Sequence, residues 1–280
     1  MVDGGGCGME FPIIAVIGYK NAGKTTVVEK LIEALTSRGY KVATVKHIHE
    51  RGFSVDKEGT DTWRHAKAGA KIVVSAADSE TAVIVKEKMF PPLEDLTRFL
   101  TGFDALVLEG FRTLLGDERV AKIICVKSGE EASRFGKEAR GRIIAFCSFN
   151  PIEGALKLPE GTRDLLDQAL TFVDSEKGVL RALSKLPRLD CGKCGYPSCR
   201  ELALNVHEGR AKLSDCKVLE ARGSLKTRIT VDGVEVPIQR FVAEIVRSTV
   251  LGMVSTLKGV SIKGDEEVRV EILRPSTKAS

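Results

Sequence analysis

The amino-acid sequence predicts an α/β fold built on a mainly parallel sheet, followed by two smaller pieces. Three observations carry this expectation. Short apolar runs alternate with helix-like stripes through residues 11–175, the pattern of helices covering both faces of a parallel sheet. A glycine-rich turn, Gly18 to Thr25, joins one such run to one such stripe. Four of the seven cysteines crowd between Cys191 and Cys216.

Ile13 to Gly18 is a continuous apolar run, as expected of a strand covered on both faces. Thr25 to Arg38 then places Val27, Val28, Leu31, Ile32 and Leu35 on one helical stripe, with Gly39 as its stop. Further strands are expected at Lys41–Lys46, Ala70–Ala76, Thr81–Lys86, Ala105–Leu108, Lys122–Val126 and Arg142–Phe146. Helices are expected at about Thr60–Lys67 and Pro92–Leu100. Pro151 to Pro159 interrupts the rhythm, Thr162–Val173 reads as one more helix, and Asp174–Lys177 reads as a linker. Beyond the cysteines, Arg228–Ile238 reads as two short strands joined by Asp232-Gly233, a hairpin signal. The stripe Ile238, Phe241, Val242, Ile245, Val246, Val250, Met253 and Val254 makes a helix to pack on that hairpin, and Val268–Leu273 a closing strand.

Composition excludes several classes. With 43 Lys and Arg against 38 Asp and Glu, the net charge of +5 is modest, and 43% of the 280 residues are apolar. That is the balance of an ordinary globular chain, long enough to bury a core without staples. Aromatics make up only 5% and the positive charge is spread out, so no nucleic-acid patch stands out. No apolar stretch reaches eighteen residues, and Met1 to Pro12 is a glycine-rich tail without the apolar segment of a secretory signal. A cytoplasmic protein without membrane attachment is expected. The odd cysteine count fits a reducing compartment better than a disulfide framework. Cys7 lies in the tail. Cys125 and Cys147 sit inside apolar runs, where cysteine behaves as a small hydrophobe.

Gly18-Tyr19-Lys20-Asn21-Ala22-Gly23-Lys24-Thr25 fits G-x-x-x-x-G-K-[ST], the phosphate-binding loop. Its glycines allow a compact turn whose backbone N–H groups face one anion, and the following helix adds the partial positive charge of its N-terminus. Lys24 is placed to reach the β- and γ-phosphates, and the Thr25 hydroxyl to hold Mg²⁺. The fold expected is therefore a P-loop NTPase, with Gly18 through Thr26 as the nucleotide-binding segment. Such a site needs an acidic group opposite the loop. Glu109, at the end of the apolar run from Ala105 to Leu108, is that candidate, holding Mg²⁺ or orienting an attacking water. The polar segment Lys46-His47-Ile48-His49, with Asp56, Thr60, Asp61, Trp63, Arg64 and His65, leaves from the carboxyl end of a strand, where ligands bind in open α/β sheets. Two histidines two apart could bind metal but lack a third well-spaced ligand, so substrate or phosphate contacts, or solvated loop positions, are the leading readings of this segment. No N-K-x-D or T-K-x-D occurs, so the residues alone do not choose between GTP and ATP.

Taken together, four stretches resemble the MobB family: the loop Gly18 to Thr26; Val45-Lys46-His47; Gly59-Thr60-Asp61-Thr62-Trp63-Arg64-His65 with Ala68-Gly69-Ala70; and Val107-Leu108-Glu109-Gly110-Phe111. The resemblance covers residues 11–175. It implies GTP binding with Mg²⁺, weak hydrolysis and a homodimer. It also implies cooperation with the guanylyltransferase MobA, which joins GMP to molybdopterin, in making the molybdenum or tungsten cofactor. By the same resemblance Asp61, Arg64 and His65 become candidates for the cleft, and Asp61 joins Lys24 and Glu109 among the catalytic candidates.

Cys191-x2-Cys194-x4-Cys199-x16-Cys216 is the second strong pattern. Gly192, Gly195 and Pro197 supply tight turns, and the fourth cysteine returns after a helix-like excursion, Arg200 to Arg210. Four cysteines suit an Fe–S cluster or Zn²⁺. Paired C-x2-C knuckles, commoner for zinc, are missing here, and the run from Asp190 to Cys199 resembles the [4Fe–4S] module of some electron-transfer subunits and corrinoid iron–sulfur proteins. MobB proteins do not usually carry it. The roles open to it are holding the appended domain together, sensing redox state, passing an electron or docking a partner; because one cluster site is visible, a structural or redox-sensing role leads. The expected organisation is a tail at 1–10, a nucleotide-binding domain at 11–175, a cysteine domain at 176–222 and a small α+β segment at 223–280. The leading function is a GTP-binding accessory protein of molybdenum cofactor synthesis. The alternatives are a nickel or corrinoid metallocentre-maturation NTPase, or a redox-sensing adaptor without turnover.

Overall fold

The computed structural model describes residues 11–50, 52–86, 93, 100, 102–223, 227–236, 238–260 and 268–270. The N-terminal tail with Cys7, most of the helix expected at Pro92–Leu100, and the latter half of Val268–Leu273 lie outside those residues. The chain forms two compact units divided between Lys177 and Gly178.

The first unit is built on a six-stranded parallel sheet. Its strands are β1 (Ile13–Gly18), β2 (Val42–Lys46), β5 (Ala105–Glu109), β6 (Ala121–Cys125), β7 (Ile143–Ser148) and β8 (Leu156–Lys157), in the order β2-β5-β1-β6-β7-β8. β1 is central and buried throughout. Alternation along it feeds two cores. Ile14 and Val16 pack with Val27, Val28, Leu31 and Leu35 of helix α1 (Lys24–Ser37) and with Leu165, Ala169 and Val173. Ile13, Ala15 and Ile17 pack on the other face with Phe111, Leu115 and Phe135. That is the period-two division a sheet covered on both sides imposes.

Two expectations about the sheet change. β3 (Ile72–Ala76) and β4 (Thr81–Val85) stand apart as an antiparallel pair, because four residues between them cannot make the crossover a parallel pair needs. The interruption at Pro151–Pro159 contains β8, a two-residue parallel edge strand. Helix α2 (Asp61–Lys67) starts at Thr60, whose hydroxyl accepts from the Trp63 amide. Helix α3 (Gly129–Glu138) was not among the sequence expectations; the Ser128 side chain caps it by accepting from the Glu131 amide. Helix α4 runs unbroken over Thr162–Leu183, through the segment read as a linker.

In the second unit, helix α5 (Cys199–His207) and the last turns of α4 share an apolar cluster of Val179, Ala182, Leu186, Cys199, Leu202, Ala203 and Cys216. Helix α6 (Lys217–Gly223) follows. The hairpin of β9 (Thr230–Val231) and β10 (Val234–Glu235) turns at Asp232 and Gly233, both with positive φ, and helix α7 spans Arg240–Ser255. Residues 268–270 carry no strand. Among the described residues, no helix is long and apolar enough to cross a membrane.

Candidate functional site

The carboxyl ends of the strands form one rim: Gly18 of β1 pairs with Cys125 and Cys125 with Cys147, while β2 and β5 end together, Lys46 pairing with Glu109, which lies beside Val16 of β1. The loop from Gly18 to Thr25 rises from this rim into α1. Two of its glycines are sterically required. A Cβ on Gly18 would stand 2.3 Å from the Cys125 carbonyl oxygen, and one on Gly23 would meet the Phe149 ring at 2.2 Å. Gly23 also sits at φ +85°, and Asn21 at φ +59°, the left-handed region that lets successive amides turn inward.

Inside this frame the expected side chains meet. The Thr25 hydroxyl donates to Glu109 Oε1 at 2.8 Å. Glu109 is buried at the end of β5; among the described residues its side chain is bonded by Thr25 and paired with Lys46, whose Nζ lies 3.0 Å from the same oxygen. Lys24 Nζ donates to the Tyr19 carbonyl at 2.7 Å, across its own loop. Burial holds the Lys24 ammonium below its ordinary pKa, opposed by Cys125 and Glu109 and assisted by the positive charges of Lys46 and Lys127. Hard oxygen donors on Thr25 and Glu109, held at one point beside a cationic loop, are the donor set that suits Mg²⁺. The amide-lined turn suits the phosphates such an ion accompanies.

Tyr19 is held from outside the loop by Phe135, with centroids 5.4 Å apart, and by Arg112 over its ring at 4.6 Å. On the β6–β7 side, Lys127 Nζ donates to the Lys20 carbonyl at 3.4 Å. Asn150 Nδ2 in turn donates to the Lys127 carbonyl at 3.3 Å. Sequence reading did not single out Lys127, Phe149 or Asn150. Their only signal is position, just beyond two buried strands.

The polar segment after β2 is divided. The His47 and His49 rings meet at a tilt of 51° with centroids 4.0 Å apart, and His47 also meets Phe111 at 5.4 Å. Burial, then the neighbouring His49, lowers the His47 pKa, against a backbone hydrogen bond with Gly110 that raises it. Asp56 is the organised carboxylate of this segment. Its side chain is almost wholly buried and accepts from Thr62 at 2.8 Å and Thr60 at 2.9 Å, bonds that hold its pKa down against desolvation. Asp61, by contrast, is exposed and pairs with Arg64 at 3.5 Å; it makes no hydrogen bond or ion pair with Thr25 or Glu109.

Of the four cysteines in the second unit, Cys199 and Cys216 are buried, Cys194 packs against the same cluster, and Cys191 is exposed. Cys199 opens α5, where the Ser198 side chain accepts from the Glu201 amide and Asp190 Oδ1 accepts from the Cys199 amide at 2.6 Å. Desolvation raises the Cys199 thiol pKa. Among the described residues no three His, Cys, Asp or Glu side chains are gathered at metal-binding geometry. Cys194, Cys199 and Cys216 belong to one apolar cluster, and thiols suit an Fe–S cluster or zinc.

A buried strand, a glycine loop and a helix, faced by a strand-end carboxylate, define a protein of the P-loop NTPase-like class. Comparison with known proteins narrows this. Residues 13–148 match the family model described as molybdopterin guanine dinucleotide synthesis protein B, MobB, and residues 186–218 match a family provisionally described as an Fe–S cluster. A Methanocaldococcus jannaschii protein, provisionally named a molybdopterin-guanine dinucleotide biosynthesis adapter protein, is 36% identical over 262 residues. Those residues cover 93% of this chain and 97% of the relative. The adapter protein of that name from Haemophilus influenzae is 32% identical over 148 residues, covering 51% of this chain and 78% of its own length. A crystal structure of molybdopterin-guanine biosynthesis protein B aligns with a TM-score of 0.46 at 25% identity, over 58% of this chain and 99% of that one. The chain belongs to the MobB family of molybdopterin-guanine dinucleotide biosynthesis adapter proteins.

Proposed function

We propose that this protein is a nucleotide-binding adapter in molybdopterin guanine dinucleotide biosynthesis, taking GTP with Mg²⁺ and assisting a MobA-type guanylyltransferase that acts on molybdopterin. The observation that carries the reading is the Thr25–Glu109 contact of 2.8 Å at the mouth of the Gly18–Thr25 loop. Lys24 neutralises phosphate charge, the loop amides and the α1 N-terminus hold the phosphates, and Thr25 with Glu109 holds the metal. Mg²⁺, when bound, would supply neutralisation of phosphate charge. Hydrolysis is slow in this reading, as suits an adapter. Asp61 enters the catalytic set through family resemblance alone, as a residue of the cleft.

Cys191, Cys194, Cys199 and Cys216 hold a [4Fe–4S] cluster in this reading, with a structural or redox-sensing role, and zinc is the rival occupant. The exposed apolar side chains Ile72, Val74, Val83 and Val85 on the β3–β4 hairpin support a homodimer. A two-stranded hairpin gains little stability alone and more when another surface covers it.

The test is calorimetric titration of anaerobically purified protein with GTP, GDP and ATP in the presence of Mg²⁺. The reading expects saturable GTP binding that Lys24→Ala abolishes. Folded protein that binds none of the three nucleotides overturns it.

A further inference from the structure

A buried carboxylate needs a partner of opposite charge or a full set of hydrogen bonds. Glu109 has an ion pair and one hydrogen bond, both at a single oxygen. Oε1 accepts from Thr25 at 2.8 Å and lies 3.0 Å from Lys46 Nζ. Register fixes this ion pair. Lys46 and Glu109 are directly paired residues at the ends of the parallel strands β2 and β5, so their side chains leave the sheet on the same face. The two partners differ in freedom, however. The Glu109 side chain is 9% exposed, whereas that of Lys46 is 57% exposed. The carboxylate is held in place while the ammonium has open space to move.

Thr25 and Glu109 are also the proposed holders of Mg²⁺, and a divalent ion and an ammonium compete for one carboxylate oxygen. The surrounding charge decides where a displaced Lys46 goes. Lys24 lies within reach of the positive charges of Lys46 and Lys127 and the negative charge of Glu109, and Lys127 Nζ donates to the Lys20 carbonyl of the loop. Three cations to one carboxylate leave an excess of positive charge, which suits a polyphosphate.

We propose that Lys46 is a second phosphate-binding cation that changes partner: it neutralises Glu109 without nucleotide, and bonds the terminal phosphate of a bound nucleoside triphosphate. This inference rests on the nucleotide-binding reading above and deepens it. Lys46 thereby distinguishes triphosphate from diphosphate, because only the former offers the phosphate it reaches. Lys24, anchored within the loop, serves both.

The experiment measures displacement of a fluorescent guanine nucleotide by GTP and by GDP, in Mg²⁺, for the full chain and for Lys46→Gln and Lys46→Arg. Lys46→Gln is expected to weaken GTP by at least about tenfold, the usual worth of a charge-assisted hydrogen bond, and GDP by less than about threefold. Lys46→Arg keeps the preference for GTP. Equal loss for the two nucleotides, or no loss, overturns the proposal and leaves Lys46 as a general electrostatic or surface ion-pair residue. Wild-type protein that binds neither nucleotide overturns the nucleotide-binding reading itself, and this inference with it. Thermal melts accompany the titrations. If Lys46→Gln melts early, Lys46→Met, which keeps the apolar stem, takes its place with the same expected ratio.

Discussion

Replacing Gly18 by alanine tests the phosphate loop through its steric foundation. The added Cβ would stand 2.3 Å from the Cys125 carbonyl oxygen and 3.2 Å from the Cys125 Cβ. The first contact is about 0.7 Å inside the 3.0 Å that real Cβ atoms respect. The obstacle is backbone in the neighbouring strand, paired in register with Gly18, so no rotamer change relieves it. β1 and β6 must part locally. Overpacking costs about 1–3 kcal/mol, and a weakened ladder hydrogen bond adds about 1 kcal/mol, giving roughly 2–4 kcal/mol. Gly39→Ala is the matched control. Gly39 has φ +83° but nothing within 4 Å of its Cβ position, so only the left-handed backbone penalty of about 1–2 kcal/mol applies. Urea unfolding followed by circular dichroism measures both, with the midpoint shift read at constant slope. Gly18→Ala should cost more than Gly39→Ala, despite the ordinary φ at Gly18, and should weaken nucleotide binding where Gly39→Ala does not. Equal costs, or a Gly18→Ala variant as stable as wild type, would refute the reasoning.

Lys24→Ala should abolish Mg²⁺-nucleotide binding, whereas Cys199→Ala should spare it; calorimetry on both checks this. Loss of binding in a folded Cys199→Ala variant would contradict separate roles for the two units. His47 has a folded pKa lowered first by burial, so its unfolded form takes up a proton more readily. Its contribution to stability is therefore complete above the ordinary histidine value of about 6.5 and is lost as pH falls from there through the lowered value. His47→Gln should flatten that part of the curve of urea midpoint against pH. Lys122 is fully buried, donates to the Asp117 and Arg140 carbonyls, and has a pKa lowered by desolvation against the pull of Asp117. Lys122→Met leaves those carbonyls without their donor and should destabilise by at least about 1 kcal/mol in the same assay.

The sequence made the fold legible where one local signal dominated. Continuous apolar residues marked β1, a single stripe marked α1, and Asp232-Gly233 marked the hairpin that turns there with φ of +51° and +80°. Helix α3 escaped because Phe135 is the buried residue it offers, too little for a stripe; its readable trace was Ser128 with Glu131 three residues on. The apparent linker at Asp174–Lys177 is the polar part of α4 between buried Val173 and Val179. Its polar side chains have specific partners. Asp174 pairs with Arg38 at 3.1 Å and accepts from Tyr40, and Lys177 pairs with Asp104 at 2.6 Å. At the candidate site, Glu109 was readable because a carboxylate ending an apolar strand has few other reasons to be there. Its pairing with Lys46 was not readable, since 63 residues separate them and register alone brings them together.

The central claim is that the Gly18–Thr25 loop serves guanylyl attachment to molybdopterin. The most direct measurement is the rate of guanylyl transfer from GTP to molybdopterin by a MobA-type enzyme, under anaerobic conditions, with and without this protein. The account predicts clear stimulation that Lys24→Ala removes. A rate unchanged by folded, GTP-loaded protein would contradict it.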